Sequence, residues 1–166
     1  MRALVIPILL LVCCSACAAA APGARSAEAI DSNEAVIGRT LDDWHNAAAN
    51  ADEARYFSHF ASKGVFLGTD GTERWNVQAF RTYAHPHFAA GKAWKFLAQH
   101  RRVTFSEGGA VAWFDEDLVT ERLGPARGAG VVVREGGAWK ISLYDLSIPI
   151  PNERFAAVKQ AILGKE

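Results

Sequence analysis

The chain has 166 residues, of which half are hydrophobic and 22% are charged, a composition typical of one globular domain and not of a disordered segment. Lysine plus arginine equals aspartate plus glutamate, 18 each, so no basic field indicates a nucleic-acid partner. All three cysteines lie within positions 1–17, where their spacing lacks the second ligand pair of a zinc site. The rest of the chain therefore folds without disulfides.

The N-terminus has the pattern of an export signal. Arg2 precedes an apolar run over 4–12, too short for a comfortable membrane span, and small residues follow. Ser15-Ala16-Cys17 resembles a bacterial lipobox, with Cys14 at the usual leucine position, which would leave Cys17 lipidated; an ordinary signal peptidase could instead cut within 16–20. We predict a signal peptide over 1–20, a flexible tether over 21–33 and a periplasmic protein, free or lipid-anchored.

Helices are predicted before a long run of strands. N-cap residues at 31–34 precede the first helix, and His45 borders its apolar face. That face comprises Ile37, Leu41, Trp44 and Ala48. Further helices are predicted over 53–61, 76–83 and 153–163.

The turns between these helices carry two candidate sites. Asp70 follows a short strand in a glycine-rich turn, where it either hydrogen-bonds its own backbone or acts as a base beside a cavity. Pro86 is expected to force an extended turn, with His85 and His87 able to face one side. No third ligand accompanies them. One buried and one exposed histidine is therefore the preferred interpretation, and no metal is predicted.

Four strands are predicted over 94–105, 110–119, 128–135 and 139–148, followed by two prolines that end the sheet. Period-2 alternation in the second strand places Ala112, Phe114, Glu116 and Leu118 on one face, whose acidic half is expected to meet water, in a cavity or in bulk solvent. Arg101-Arg102 is expected at a bend or an edge, on a solvated face. In the fourth strand, strict alternation puts Asp145 on the same face as Trp139 and Ile141, and Tyr144 on the other face.

This pattern indicates an α+β domain, a curved antiparallel sheet wrapped around about three helices. The order of elements and a set of short motifs resemble a SnoaL-like domain of the nuclear-transport-factor-2-like superfamily over about 34–155, leaving 156–166 as a C-terminal helix and tail. The motifs are Gly68-Thr69-Asp70 with Glu73-Arg74-Trp75, Trp113-Phe114-Asp115-Glu116, Gly136-Gly137-Ala138-Trp139-Lys140-Ile141 and Pro149-Ile150-Pro151-Asn152-Glu153.

The resemblance implies a cone with an apolar pocket, often dimeric through its outer sheet face, and chemistry that ranges from isomerases, dehydratases, epoxide hydrolases and polyketide cyclases to non-catalytic binding modules. In isomerase-like members an acid stands near the end of the first strand, close to Asp70, and a donor on the first helix, near His45. A small apolar or amphipathic molecule is the expected partner. The expected pocket residues are Trp44, Tyr56, Trp75, Tyr83, His87, Trp94, Trp113 or Phe114, and Asp145.

Three function classes stay open. The first is an exported binding protein for a small organic molecule, with His45 and Asp70 fixing its orientation. The second is an enzyme without metal or cofactor, an isomerase, hydrolase or dehydratase, in which His45 or Asp70 takes a proton and Glu116 or Asp145 assists. The third is a non-catalytic dimeric assembly module. The membrane is expected to matter only through lipid on Cys17.

Overall fold

The computed structural model describes the backbone of residues 22–164 and the side chains of residues 32–164. The predicted signal peptide and Cys17 lie outside these residues. Across the described backbone, no helix is long and apolar enough to cross a membrane. The elements are α1 (Pro22–Ala49), α2 (Glu53–Ser58), β1 (Phe60–Leu67), β2 (Arg74–Asn76), α3 (Val77–Ala89), β3 (Leu97–Phe105), β4 (Val111–Thr120), β5 (Gly124–Glu135), β6 (Ala138–Ser147), a 3₁₀ turn (Asn152–Arg154) and α4 (Phe155–Leu163).

Six strands form one curved, open sheet in the order β2-β1-β6-β5-β4-β3, so the α+β prediction is confirmed. Neighbouring strands are antiparallel except β1 and β6, which run parallel. Because β3 ends the sheet, Arg101 does lie on an edge strand. The helices α1, α2 and α3 cover the concave face, and their buried side chains join those of the sheet in one core.

The apolar stripe of α1 forms the centre of this core, as its spacing predicted. Ile37, Leu41, Trp44 and Ala48 are at most 1% exposed. Trp44 stacks on Tyr56 of α2 at 5.1 Å and meets Tyr144 of β6 edge-on at 4.6 Å. The helix itself begins at Pro22, earlier than the predicted start near Asp31, and it overlaps the segment predicted as a tether.

The prediction of an extended turn at Pro86 is wrong, because α3 continues to Ala89 with Pro86 inside it. Asn76 caps the helix by accepting from the backbone N–H of Ala79 at 2.8 Å. Phe80, Ala84 and Phe88 are buried at a spacing of four residues. Burial of this stripe against the core offsets the hydrogen bond that proline cannot make. The helix therefore spans the whole histidine segment.

Candidate functional site

Glu116 lies at the centre of a buried polar cluster. It is 0% exposed, and one carboxylate oxygen, Oε1, is 2.7 Å from Nε2 of His45 and accepts from the Tyr144 hydroxyl at 3.1 Å. The other oxygen, Oε2, accepts from Nε of Arg101 at 2.7 Å. We call these four residues, His45, Arg101, Glu116 and Tyr144, the buried quartet. It joins α1 to three strands of the sheet.

The regular alternation of β4 directs Glu116 inward. Ala112, Phe114, Glu116 and Leu118 are all at most 3% exposed, which confirms the predicted face. The expectation that the acidic half of this face meets water is wrong, because Leu118 lies beyond Glu116 and is 2% exposed. A carboxylate in such a place must be paired, since an isolated buried charge is costly.

A β-bulge brings Arg101 to this carboxylate. Gln99 pairs with Asp117 and Arg102 pairs with Asp115, so both His100 and Arg101 oppose Glu116. His100 has φ +49°. The extra residue turns Arg101 inward, where its side chain is 13% exposed. Placing Arg101 on a solvated face was therefore wrong, although the expected bend is present.

A second bulge brings in Tyr144. Val131 pairs with Leu143 and Val132 with Ile141, so Ser142 is the extra residue of β6. After this extra residue, side chains that strict alternation would direct outward point inward, and Tyr144 is 0% exposed. Strict alternation along β6 was therefore wrong. Gly128 on β5 leaves the room that the Tyr144 hydroxyl needs, because a Cβ there would overlap it.

The negative charge of Glu116 is paired within the quartet. Burial tends to raise the pKa of the Glu116 carboxyl, but the hydrogen bonds and charges of His45 and Arg101 outweigh burial and lower the pKa below its usual value. Burial and the Glu116 charge raise the pKa of the Tyr144 phenol well above its usual value. Arg101 also donates to the Gly38 carbonyl at 3.0 Å and pairs with Asp42 at 2.9 Å. Glu116 is thus ionised and Tyr144 is a neutral donor.

A cavity of about 730 Å³ opens beside the quartet, between α3 and the ends of β1, β3 and β4. Six aromatic and five charged side chains are among the residues that line it. The aromatic set is Phe66, Trp75, Phe80, Tyr83, Trp94 and Phe96; the charged set is Glu73, Lys92, Lys95, Glu121 and Arg122. Such a volume and lining are typical of sites for small organic molecules.

The quartet does not line this cavity. The residues that border both are Phe96, whose ring meets that of His45 edge-on at 6.1 Å, and Phe66, whose ring stacks on Tyr144 at 5.7 Å. Both phenylalanines belong to the cavity wall. Phe66 and Phe96 therefore connect the quartet to the cavity wall.

The predicted site residues are distributed over both regions. Trp75, Tyr83, His87 and Trp94 line the cavity. Trp44, Tyr56 and Phe114 are at most 3% exposed and belong to the core instead, and Trp113 is 48% exposed on the opposite sheet face. His45 and Glu116 come together in the quartet.

The structure does not bring Asp70 or Asp145 to either region. Asp70 is exposed in its turn, where its carboxylate accepts from the Thr72 backbone at 2.8 Å and from the Thr72 hydroxyl. These bonds lower the pKa of Asp70, as expected of a turn-forming carboxylate and not of a base. Asp145 follows Tyr144 directly, so the bulge that turns the tyrosine inward directs Asp145 to the other face of the sheet.

The two histidines of the Pro86 segment point in different directions, because two residues of a helix differ by about 200°. Both are exposed, so the expectation of one buried histidine is wrong. His85 bonds Glu53 at 2.8 Å, whereas His87 contacts Tyr83 at the cavity. Among residues 32–164, no group of three histidine, cysteine, aspartate or glutamate side chains converges as metal ligands would.

Sequence reasoning missed Arg101 and Tyr144, whose positions depend on the two bulges. It also missed three charged residues of the cavity, Lys92, Lys95 and Arg122. A Gly91-Lys92 pair after a helix and exposed residues in a turn carry no local signal of a shared cavity. The one signal in the sequence is Gly128. A glycine inside a strand indicates that another group approaches closely, and in the structure Gly128 pairs with Glu116.

A family model for the SnoaL-like domain matches residues 37–151, which is more than two thirds of the chain. The protein therefore belongs to the SnoaL-like family, and the predicted family resemblance is confirmed. No curated protein matches it.

Solved structures of the same fold are distant in sequence. A domain of unknown function with a cystatin-like fold from Nostoc punctiforme has a TM-score of 0.65 at 14% identity, covering 78% of this chain and 85% of its own. A candidate scytalone dehydratase from Novosphingobium aromaticivorans has a TM-score of 0.63 at 10% identity, covering 75% and 89%. An NTF2-like protein of unknown function from Pseudomonas putida has a TM-score of 0.61 at 15% identity, covering 74% and 91%. At these identities the likeness shows the fold alone.

Proposed function

We propose that this protein binds a small apolar or amphipathic organic molecule in the aromatic cavity. The observation that carries the proposal is an open space of about 730 Å³ walled by six aromatic rings. Tyr83 remains 47% exposed there, so its ring is available to a ligand. Burying such surface is the main favourable term in small-molecule binding. His45 and Tyr144 of the quartet contact two of these rings, Phe96 and Phe66, on the side of the core.

Native mass spectrometry of the purified protein tests this proposal. We expect a discrete bound mass that is lost when Leu123, a half-buried residue of the cavity wall, is replaced by tryptophan to fill the space. The matched control is Ile148→Trp, at a position 45% exposed and outside the cavity. A screen of small organic molecules by calorimetry, with no binder that Leu123→Trp abolishes, would refute the proposal.

A second candidate function is cofactor-free acid–base catalysis, and the 2.7 Å contact between His45 and Glu116 favours it. The ionised Glu116 carboxylate fixes the orientation of the His45 imidazole. The ring of Phe96, which contacts that of His45 at 6.1 Å, also lines the cavity. Some structural relatives are candidate dehydratases, a reaction type that needs such a proton transfer.

Turnover separates the two candidates. The bound molecule would be incubated with the parent protein, with His45→Gln and with Asp70→Asn, and followed by mass spectrometry. Conversion by the parent and by Asp70→Asn, but not by His45→Gln, would support catalysis. An unchanged molecule after incubation with the parent would leave binding as the function and remove the enzyme candidate.

We also propose export to the periplasm, on the pattern of residues 1–20. The N-terminal mass of the protein expressed with its own signal would distinguish cleavage within 16–20 from lipidated Cys17. An intact Met1 in a cell fraction free of periplasm would refute export.

A homodimer through the outer sheet face is the further proposal, and a row of apolar side chains supports it. Trp113 pairs with Val131, and Val131 pairs with Leu143 across three strands. Trp113 is 48% exposed in the single chain. Light scattering should give a dimer for the parent and a monomer for Trp113→Glu. A monomeric parent would exclude this assembly, including the purely structural function built on it.

A further inference from the structure

Five of the six aromatic rings in the cavity wall are nearly parallel. The Phe80 ring lies at 17° to that of Phe66, at 10° to that of Trp75 and at 19° to that of Trp94. Tyr83 continues the set, stacked on Trp75 at 21° and 4.6 Å. Nearly parallel rings favour a guest that is itself flat, because offset stacking places ring centroids about 4.5–7 Å apart.

The charges around the same cavity are not balanced. Lys92, Lys95 and Arg122 line it, and none of the three makes an ion pair with a described residue. Two acids, Glu73 and Glu121, line the cavity as well, so three cations stand against two carboxylates. The cavity thus combines a flat apolar wall with three cations that make no ion pair among residues 32–164 and an excess of one positive charge.

We propose that the natural ligand is a planar aromatic carboxylate, whose ring stacks on the Trp75–Tyr83 side of the wall while its anion meets Lys92, Lys95 and Arg122. This inference rests on the proposed binding function and adds the chemical class of the ligand. A neutral flat molecule would leave the three cations without a partner, whereas a carboxylate forms charge-assisted hydrogen bonds with them. An anion without a ring would leave the apolar wall exposed to water.

A pair of probes of equal shape tests the charge requirement. The probes are 2-naphthoate and its neutral amide, measured by calorimetry at low salt on the full chain. We expect the carboxylate to bind about threefold to tenfold more tightly than the amide, the range given by two or three exposed ion pairs. Added salt should reduce this difference, because exposed charges are screened.

A matched pair of double variants assigns the effect to the cavity. Lys92→Gln with Lys95→Gln should remove most of the preference for the carboxylate and leave the affinity for the amide unchanged. Lys63→Gln with Lys159→Gln removes two exposed lysines outside the cavity and should keep the preference. Circular dichroism would check that both variants fold.

The outcomes separate this inference from the proposed function. Equal affinity of the two probes for the parent protein, with binding abolished by Leu123→Trp, would overturn the charge requirement and support binding in the cavity. A preference that both double variants keep would also overturn it. Absence of binding by either probe would overturn the planar class, and the screen against Leu123→Trp would then decide the proposed function by itself.

Discussion

The buried quartet and the cavity wall are neighbours in the same domain, yet their charged groups differ in whether they are paired. Both oxygens of Glu116 are engaged by side chains of the chain itself. The cations of the cavity, Lys92, Lys95 and Arg122, make no ion pair with a described residue. Paired groups in a dry interior support the fold, whereas unpaired groups beside open apolar surface are available to a ligand. Changes in the first region should therefore act on stability and changes in the second on binding.

The largest effect should follow removal of the Glu116 carboxylate. Glu116→Leu leaves the Arg101 guanidinium and His45 beside an apolar side chain in a place that is 0% exposed. We expect the free energy of unfolding to fall by about 3–5 kcal/mol, the usual cost of breaking a buried ion pair from one side. Urea denaturation measures it.

The neighbouring acid is the control for this variant. Asp115 bonds Arg102 at 3.2 Å on the exposed side of the same strands, so Asp115→Ala should cost less than about 1 kcal/mol. Equal losses for the two variants would contradict the contrast between a buried and a solvated pair.

A smaller loss should follow crowding of the quartet. Gly128→Ala places a methyl group against the Tyr144 hydroxyl and the Glu116 side chain, and overpacking of this kind costs about 1–3 kcal/mol. Tyr144→Phe removes that hydroxyl together with one hydrogen bond, at about 1 kcal/mol. The double variant should then be more stable than the sum of the single losses predicts. Strictly additive losses in the double-mutant cycle would show that the two groups do not meet.

The pH dependence of stability should also separate the regions. The pKa of Glu116 is lowered in the folded protein, so its stabilisation is complete above the unfolded carboxyl pKa and is lost as the pH falls through the folded pKa. Urea denaturation between about pH 6 and pH 3 would measure the unfolding free energy of the parent and of Glu116→Gln. The parent should lose more stability over this range than the variant. The difference should be about 1.4 kcal/mol for each pKa unit that separates the Glu116 carboxyl in the folded protein from the same carboxyl in the unfolded protein. Parallel curves would mean that the quartet is not the source.

The smallest effect on stability should come from the cavity. Tyr83 is 47% exposed and stacks on Trp75 at 4.6 Å, so Tyr83→Leu should change the unfolding free energy by less than about 1.5 kcal/mol. The same variant should weaken ligand binding several-fold, and Tyr83→Phe should retain the binding because it keeps the ring. A large loss of stability with unchanged affinity would place Tyr83 with the core instead.

Much of the fold and part of the candidate site could be predicted from local patterns. The spacing of Ile37, Leu41 and Trp44 identified the buried face of α1, because a helix without interruption repeats every 3.6 residues. In β4, the inward direction of Glu116 followed from a strand that pairs with β5 without a register shift. Such predictions hold wherever the backbone stays regular over the residues concerned.

Other predictions depended on regularity that the chain does not keep. Pro86 was expected to interrupt the backbone, and the packing of Phe88 in the core overrode that local preference. Asp145 was assigned to the pocket on strict alternation, and one extra residue, Ser142, reversed the faces of β6. A β-bulge depends on the neighbouring strand, so no local pattern announces it.

By itself, the sequence determined the class of the fold, the buried stripe of α1 and the direction of Glu116, since each follows from the period of one regular element. The tertiary structure alone decided which groups meet. Two bulges in different strands place Arg101 and Tyr144 on the same carboxylate, and residues as distant as Trp75 and Arg122 share one cavity. Pairings of this kind are set by the register and curvature of the whole sheet, which only the assembled domain defines.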